Sequence, residues 1–271
     1  MGFMVRPRRS LLFVPCDRPD RVRKAASLAC DAVILDLEDG VDSGRKREAR
    51  GNARQALETV DFGPRQVILR INGPDSDLMR EDLDALAGFR RLPDFLMVPK
   101  VEAPLHLAAG CPVIPTVESA AGILAAPAIA RGQAALMFGA FDFAASIGAA
   151  PEWEPLLAAR SQVVVAAAAA GIDAIDSPWG DLADLDGLRE SCVRARRMGF
   201  AGKGAIHPSH LDVINSAFSP TDEELTLARR IVRAADEQGE GAIRLDGRMV
   251  DRAVVRIARR TVAAAQRSGA A

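Results

Sequence analysis

The chain has 271 residues, 49% of them hydrophobic and 26% charged, an ordinary globular balance that allows one barrel-sized domain or two smaller ones. A formal net charge of −1 provides no bulk field for nucleic acid or an anionic membrane, so any polyanion must be held locally. The four cysteines, Cys16, Cys30, Cys111 and Cys192, form no C-x-x-C pair, which argues against a structural zinc site or a disulfide framework and suits a reducing cytoplasm. From Met1 onward the first apolar run is residues 11–14, cut short by Pro15; this is too brief for a secretory signal, and no later run approaches a membrane span. Arg6 breaks the N-myristoylation pattern. The expectation is a soluble, cytoplasmic protein with neither a membrane nor a nucleic-acid partner.

In chain order, short β-rich runs are predicted at residues 10–14, 32–37, 66–71, 95–99, 113–117, 136–139, 173–176 and 203–206. Most are almost wholly apolar, as strands buried on both faces of a parallel sheet must be. Helix-like alanine-rich stretches such as 45–58 and 156–170 lie between them, so the pattern is one of βαβ units. Eight strands spaced by roughly 20–40 residues fit a closed (β/α)8 TIM barrel better than an open doubly wound sheet. No G-x-G-x-x-G follows the first strand, which removes the main reason to prefer a dinucleotide-binding fold. Beyond the eighth strand, Thr221 and Glu224 are spaced as a capping box for a helix reaching Gln238, which ends near Gly239 and Gly241. A turn at Asp246-Gly247 and a last helix over about 249–266 follow. We therefore divide the chain into a catalytic barrel, residues 1–218, and a helical extension of the same domain, 219–271, serving as a lid or an oligomer contact.

Catalytic groups in a barrel of this kind sit at the carboxyl ends of its strands. The second predicted strand ends in Asp36-Leu37-Glu38-Asp39-Gly40, the third in Arg70-Ile71-Asn72, the fourth in Pro99-Lys100 and the fifth in Glu118; Asp142 follows the sixth. Glu118 and Asp142, from adjacent strand ends, can reach one cation on the barrel axis. Two hard oxygen donors with room for water describe magnesium, and the absence of an accompanying histidine disfavours zinc or non-haem iron. Arg70 would face the same mouth, where its guanidinium matches a carboxylate or an enolate. Lys100 is the candidate for a Schiff base, but the neighbouring carboxylates favour its charged form and hence the metal route.

These stretches, with Arg9-Ser10-Leu11-Leu12-Phe13-Val14-Pro15, Val33-Ile34-Leu35-Asp36-Leu37-Glu38-Asp39-Gly40-Val41, Pro99-Lys100-Val101-Glu102, Gly199-Phe200-Ala201-Gly202-Lys203, Ile206-His207-Pro208-Ser209-His210 and Asp246-Gly247-Arg248-Met249-Val250-Asp251, make the chain familiar. It resembles the citrate lyase beta-subunit family, also described as malyl-CoA or citramalyl-CoA lyase-like, of the HpcH/HpaI aldolase superfamily. The resemblance runs in order over nearly the whole chain. It implies Mg2+ held by Glu118 and Asp142, a substrate-binding Arg70, and an acidic pair, Glu38 and Asp39, that orients the metal's waters. It also implies that Asp251 is delivered from a neighbouring subunit's C-terminal lid, and hence a homotrimer or a hexamer. Two positions depart from the family pattern: Cys16 stands where many members have Gly, and Phe141 where many have Glu.

The implied reaction is a retro-Claisen cleavage of a 3-hydroxy-3-carboxyacyl-CoA, such as citramalyl-, malyl- or citryl-CoA, to acetyl-CoA and a 2-oxo acid. Arg70 and the metal would stabilise the developing enolate, and Asp251 would exchange a proton with the acetyl methyl carbon. Arg18 and Lys24 are candidates for contacts to CoA. Alternatives are an acyl-CoA thioesterase or malate synthase-like enzyme, and a citrate lyase subunit working on an acyl-carrier-protein thioester. His207 is expected to brace the turn after the eighth strand, and His106 and His210 to lie at the surface.

Overall fold

The computed structural model describes residues 7–239, 243–245 and 247–267; Arg6, Gly241 and Asp246, named above, lie outside the described residues. It forms two compact units, residues 8–215 and residues from Ser216 onward, the latter together with Pro7.

The larger unit is a closed barrel of eight parallel strands in sequence order. These are β1 (Ser10–Pro15), β2 (Ala32–Asp36), β3 (Gln66–Arg70), β4 (Phe95–Val98), β5 (Val113–Val117), β6 (Ala135–Phe138), β7 (Asp173–Asp176) and β8 (Gly202–Ala205). Pairing of Ser10 with Lys203 closes the ring between β1 and β8. The barrel is filled by inward-facing side chains, among them Leu11, Ile34, Ile68, Met97, Ile114 and Ile175, all fully buried. This is why the strands read as unbroken apolar runs: one face fills the barrel and the other meets the helices.

The helices are α1 (Pro19–Ala25), α2 (Lys46–Thr59), α3 (Asp77–Ala87), α4 (Ala120–Ile129), α5 (Ala140–Ile147), α6 (Leu157–Ala170), α7 (Leu185–Met198) and α8 (Leu211–Phe218), within which the division between units falls. Ser76 and Ser119 cap α3 and α4, accepting hydrogen bonds from Leu78 N and Gly122 N. One helix of the ideal barrel is missing. Between β4 and β5 the chain runs without regular structure, its short crossover interrupted by Pro104, Gly110 and Pro112.

In the second unit α9 (Asp222–Gln238) starts with the expected capping box: Glu224 N donates to Thr221 Oγ1, and Thr221 N to Glu224 Oε2. An antiparallel hairpin, β9 (Ile243–Leu245) and β10 (Arg248–Val250), then leads into α10 (Arg252–Arg267). The sequence reading found the turn at Gly247 (φ +74°) but not the two short strands beside it. Ala228, Ile231, Ala234 and Ala235 of α9 pack against Val250 and Ala258. Among the described residues no helix is long and apolar enough to cross a membrane.

Candidate active site

Register places the site. Parallel pairing of β2 with β3 sets Asp36 beside Arg70 at the carboxyl-terminal ends of their strands. The two side chains meet as a fork on a fork: Arg70 Nε donates to Asp36 Oδ1 and Nη2 to Oδ2, both at 2.7 Å. Arg70 Nη1 lies 2.8 Å from Glu38 Oε2, and the guanidinium stacks 4.8 Å above the Phe13 ring. Burial alone would lower the Arg70 pKa, but the carboxylates of Asp36, Glu38 and Glu118 outweigh it and raise it, so the arginine is a permanent cation. Asp36 also accepts from Glu38 N and Gly40 N, which fixes the loop that follows β2.

That loop is braced from below. The buried Lys46 ammonium donates to Leu37 O, Glu38 O and Asn72 Oδ1, so three acceptors satisfy its three protons. Asn72 is in turn gripped by Asp82, which also pairs with the buried Arg50. Glu38, 3% exposed, is therefore aimed rather than free. Its pKa is raised, chiefly by burial and against the pull of Arg70 and Lys100.

Glu118 follows β5 and is 7% exposed. It presses so closely on Gly139 that a Cβ there would clash with Oε2 and with the Glu118 Cβ, which explains the glycine that opens α5. Lys100 N donates to Glu118 Oε1 at 2.6 Å from a left-handed backbone (φ +56°), and no other described non-glycine residue has positive φ. The Lys100 ammonium lies 2.6 Å from Glu38 Oε1 and 3.4 Å from Asp39 Oδ2. Asp142 sits exposed in the first turn of α5. The Glu118 carboxyl is pushed up to about 8, first by burial and then by the charges of Asp142 and Glu38.

Asp36, Asp39, Arg70, Thr116, Glu118 and Asp142 line one cleft of about 410 Å³ at the barrel mouth. Apart from Arg21 and Ser177, its other walls are apolar, with Phe13, Met137, Phe138, Phe141, Pro178 and Ile206. The residues singled out at the ends of the second, third, fifth and sixth strands thus converge. Arg18 and Lys24 are exposed and outside this lining, whereas Arg21, one helical turn from each on α1, is part of it. Spacing on the helix was the signal that would have pointed to Arg21. Asp251, in the second unit, is exposed and its carboxylate caps α10 by accepting from Val254 N at 2.9 Å. His207 braces its turn through Ser209, as expected, and His106 is exposed, but His210 is fully buried rather than at the surface. Cys16, one of the two departures, is fully buried behind the mouth, its amide donating to Asp36 O.

Among the described residues no group of three or more His, Cys, Asp and Glu side chains makes a ready metal cage. What the site offers instead is a buried carboxyl, Glu118, with the Asp142 carboxylate near enough to oppose its ionisation, both lining the same cleft. That donor set fits a hard divalent cation that keeps part of its water.

A closed parallel barrel with catalytic-type side chains gathered at its carboxyl-terminal mouth is the architecture of a barrel enzyme. The chain belongs to the HpcH/HpaI aldolase/citrate lyase family, which it matches over residues 9–208. It is 36% identical to the human mitochondrial citramalyl-CoA lyase over 94% of this chain and 85% of that one. A (3S)-malyl-CoA thioesterase of Cereibacter sphaeroides is also 36% identical, over 98% of this chain and 97% of its own. Among solved structures, CitE of Mycobacterium tuberculosis in complex with magnesium, acetoacetate and coenzyme A matches with a TM-score of 0.84 at 34% identity, covering 98% of this chain and 100% of that one.

Proposed function

We propose that the chain is a magnesium-dependent carbon–carbon lyase that cleaves a 3-hydroxy-3-carboxyacyl-CoA ester to acetyl-CoA and a 2-oxo acid. The observation that carries this reading is the convergence of Glu118, Asp142 and Arg70 in one cleft at the barrel mouth, with the Glu118 carboxyl buried and facing the charges of Asp142 and Glu38. Glu118 and Asp142 are the proposed ligands, and the magnesium-bound CitE relative supports the choice of ion. When bound, Mg2+ would draw the substrate hydroxyl and adjacent carboxylate together and lower the hydroxyl pKa.

The remaining work falls to the chain. In the cleavage, the hydroxyl passes its proton to ordered water beside Glu38 and Asp39 as its carbon becomes a carbonyl, the bond to the thioester's α-carbon breaks, and the electron pair passes to the thioester enolate. Arg70 keeps two N–H groups beyond those used by Asp36 and Glu38, and these face the charge that develops. Glu38 and Asp39 are proposed to order water at the cation, with Lys100 holding them in place. Asp251, from a neighbouring copy, is proposed to hand the proton to the enolate carbon, with residues 219–271 as the lid of a homotrimer or a hexamer. The CoA phosphates would meet the basic face of α1, Arg18 and Lys24 together with Arg21. The free cysteines support a reducing compartment such as the cytoplasm, although the human relative is mitochondrial.

The test is acetyl-CoA release from malyl-, citramalyl- and citryl-CoA, with Mg2+ and with EDTA, beside Glu118→Ala. Magnesium-dependent cleavage lost in the variant is expected. The Cereibacter relative's name favours thioester hydrolysis as the second reading, and free CoA without an oxo-acid burst would decide for it.

A further inference from the structure

The cleft is lopsided in charge. Five carboxylates gather at it: Asp36, Asp39, Glu118 and Asp142 line it, and Glu38 stands just behind. Against them are three cations. Arg70 is committed to Asp36 and Glu38, and Lys100 to Glu38 and Asp39. Arg21 projects from α1, which follows β1, three strands round the barrel from the end of β6. At the β6 end the wall is Phe138 and Phe141, joined by Pro178 from the end of β7, without a basic side chain beside them in the lining of the cleft.

Phe141 is the exposed part of that wall, 48% accessible. Its ring is seated against backbone: a Cβ on Gly180 would come within 2.8 Å of Phe141 Cζ. The ring stands between the cleft and a neighbouring cavity of about 670 Å³, with which the cleft shares Ala140, Phe141 and Pro178.

A 3-hydroxy-3-carboxyacyl-CoA brings one carboxylate to the cation and Arg70, and a further substituent on the same carbon. A hydrogen or a methyl group there adds no charge. A carboxymethyl group adds a second anion, which against the Phe141 wall would meet an aromatic ring and no basic side chain of the cleft lining, and burying an unpaired charge is strongly unfavourable. We infer that Phe141 is a specificity-determining residue that selects esters with an uncharged substituent at the reacting carbon, so that the oxo acid released is a monocarboxylate. This inference rests on the lyase reading and narrows it to malyl- or citramalyl-CoA over citryl-CoA.

The experiment compares kcat/KM for the three esters in the full chain with Mg2+, in Phe141→Lys and in Phe141→Ala. Because Phe141 is half-exposed, both variants are expected to fold, as circular dichroism and thermal melting would check. Citryl-CoA is expected at least about 100-fold below the better of the other two. Phe141→Lys should narrow that gap at least tenfold, and Phe141→Ala should not. Citryl-CoA as the best substrate, or an unchanged ratio in Phe141→Lys, would overturn the inference; loss of citryl-CoA cleavage in Arg21→Met would then show that Arg21 reads the second carboxylate. If no ester is cleaved the lyase reading falls, and calorimetric binding of pyruvate and oxaloacetate in the presence of Mg2+ still judges Phe141. Tighter pyruvate supports the inference, and equal or tighter oxaloacetate overturns it.

Discussion

Magnesium binding should depend on pH in a way set by Glu118. Its carboxyl is raised from the ordinary 4.5 to about 8 without a cation, by burial first and then by Asp142 and Glu38. A metal must displace that proton, so below about 8 the apparent affinity falls tenfold per pH unit and above it levels off. Between pH 9 and pH 6 the dissociation constant should rise roughly 100-fold, a loss of about 2.7 kcal/mol. Isothermal titration calorimetry of Mg2+ across that range, in buffers of different ionisation enthalpy, measures both the affinity and the proton released. The stability of the metal-free protein has the matching sign. A carboxyl whose folded pKa is raised holds a proton that the unfolded chain has lost, so its contribution is fully present below 4.5 and is lost as pH rises through about 8. Stability should therefore fall by up to ~1.4 kcal/mol per pH unit within that window and be restored by Mg2+. An affinity that moves less than about threefold between pH 6 and pH 9, with no proton release at the lower end, would refute the argument that Glu118 is protonated until a cation arrives.

Three substitutions probe the frame around it. Arg70→Lys removes the fork that answers both oxygens of Asp36, and kcat/KM should drop at least about 100-fold in the acetyl-CoA release assay, with the protein still folded. Lys100→Gly keeps the amide that donates to Glu118 and relieves the left-handed backbone, so Mg2+ affinity and melting temperature should hold. The freed Glu38 and Asp39 should nevertheless cost about tenfold in kcat, and an unchanged kcat would show that the ammonium is incidental. Lys203→Met strands Asp176, which is completely buried and keeps only Arg160 as a cationic partner. Urea unfolding should reveal a loss of about 3 kcal/mol, and a loss under 1 kcal/mol would mean that Arg160 alone suffices.

The barrel was legible because its strands are buried on both faces and therefore read as short apolar runs at regular spacing, each ending in a polar residue. The missing fourth helix and the β9–β10 hairpin were not legible, for different reasons. Spacing does not distinguish a crossover that carries a helix from one broken by Pro104, Gly110 and Pro112. A three-residue strand such as Ile243–Leu245 is too short to show a period of two. His210 was misplaced because a lone histidine after a turn gives no periodic sign that it points inward.

The candidate-site residues that share the cleft were legible by their position after strands, and what they do to one another was not. That Glu118, Asp142, Glu38 and Arg70 share a mouth follows from chain order in a closed parallel barrel. That Asp36 takes the whole outer edge of Arg70 depends on register, which pairs residue 36 with residue 70, and a slip of one residue would turn one of the two side chains away. Lys46 was hidden in the same way: as the first residue of a helix it reads as a surface charge, yet it lies 8% exposed beneath the Glu38 loop with its protons spent on three acceptors. Strand ends thus locate the chemistry, while the assembled register and the buried braces decide which charges are already neutralised. Once Arg70 and Lys100 have taken Asp36, Glu38 and Asp39, the cleft's remaining carboxylates are Glu118 and Asp142, the pair proposed as cation ligands.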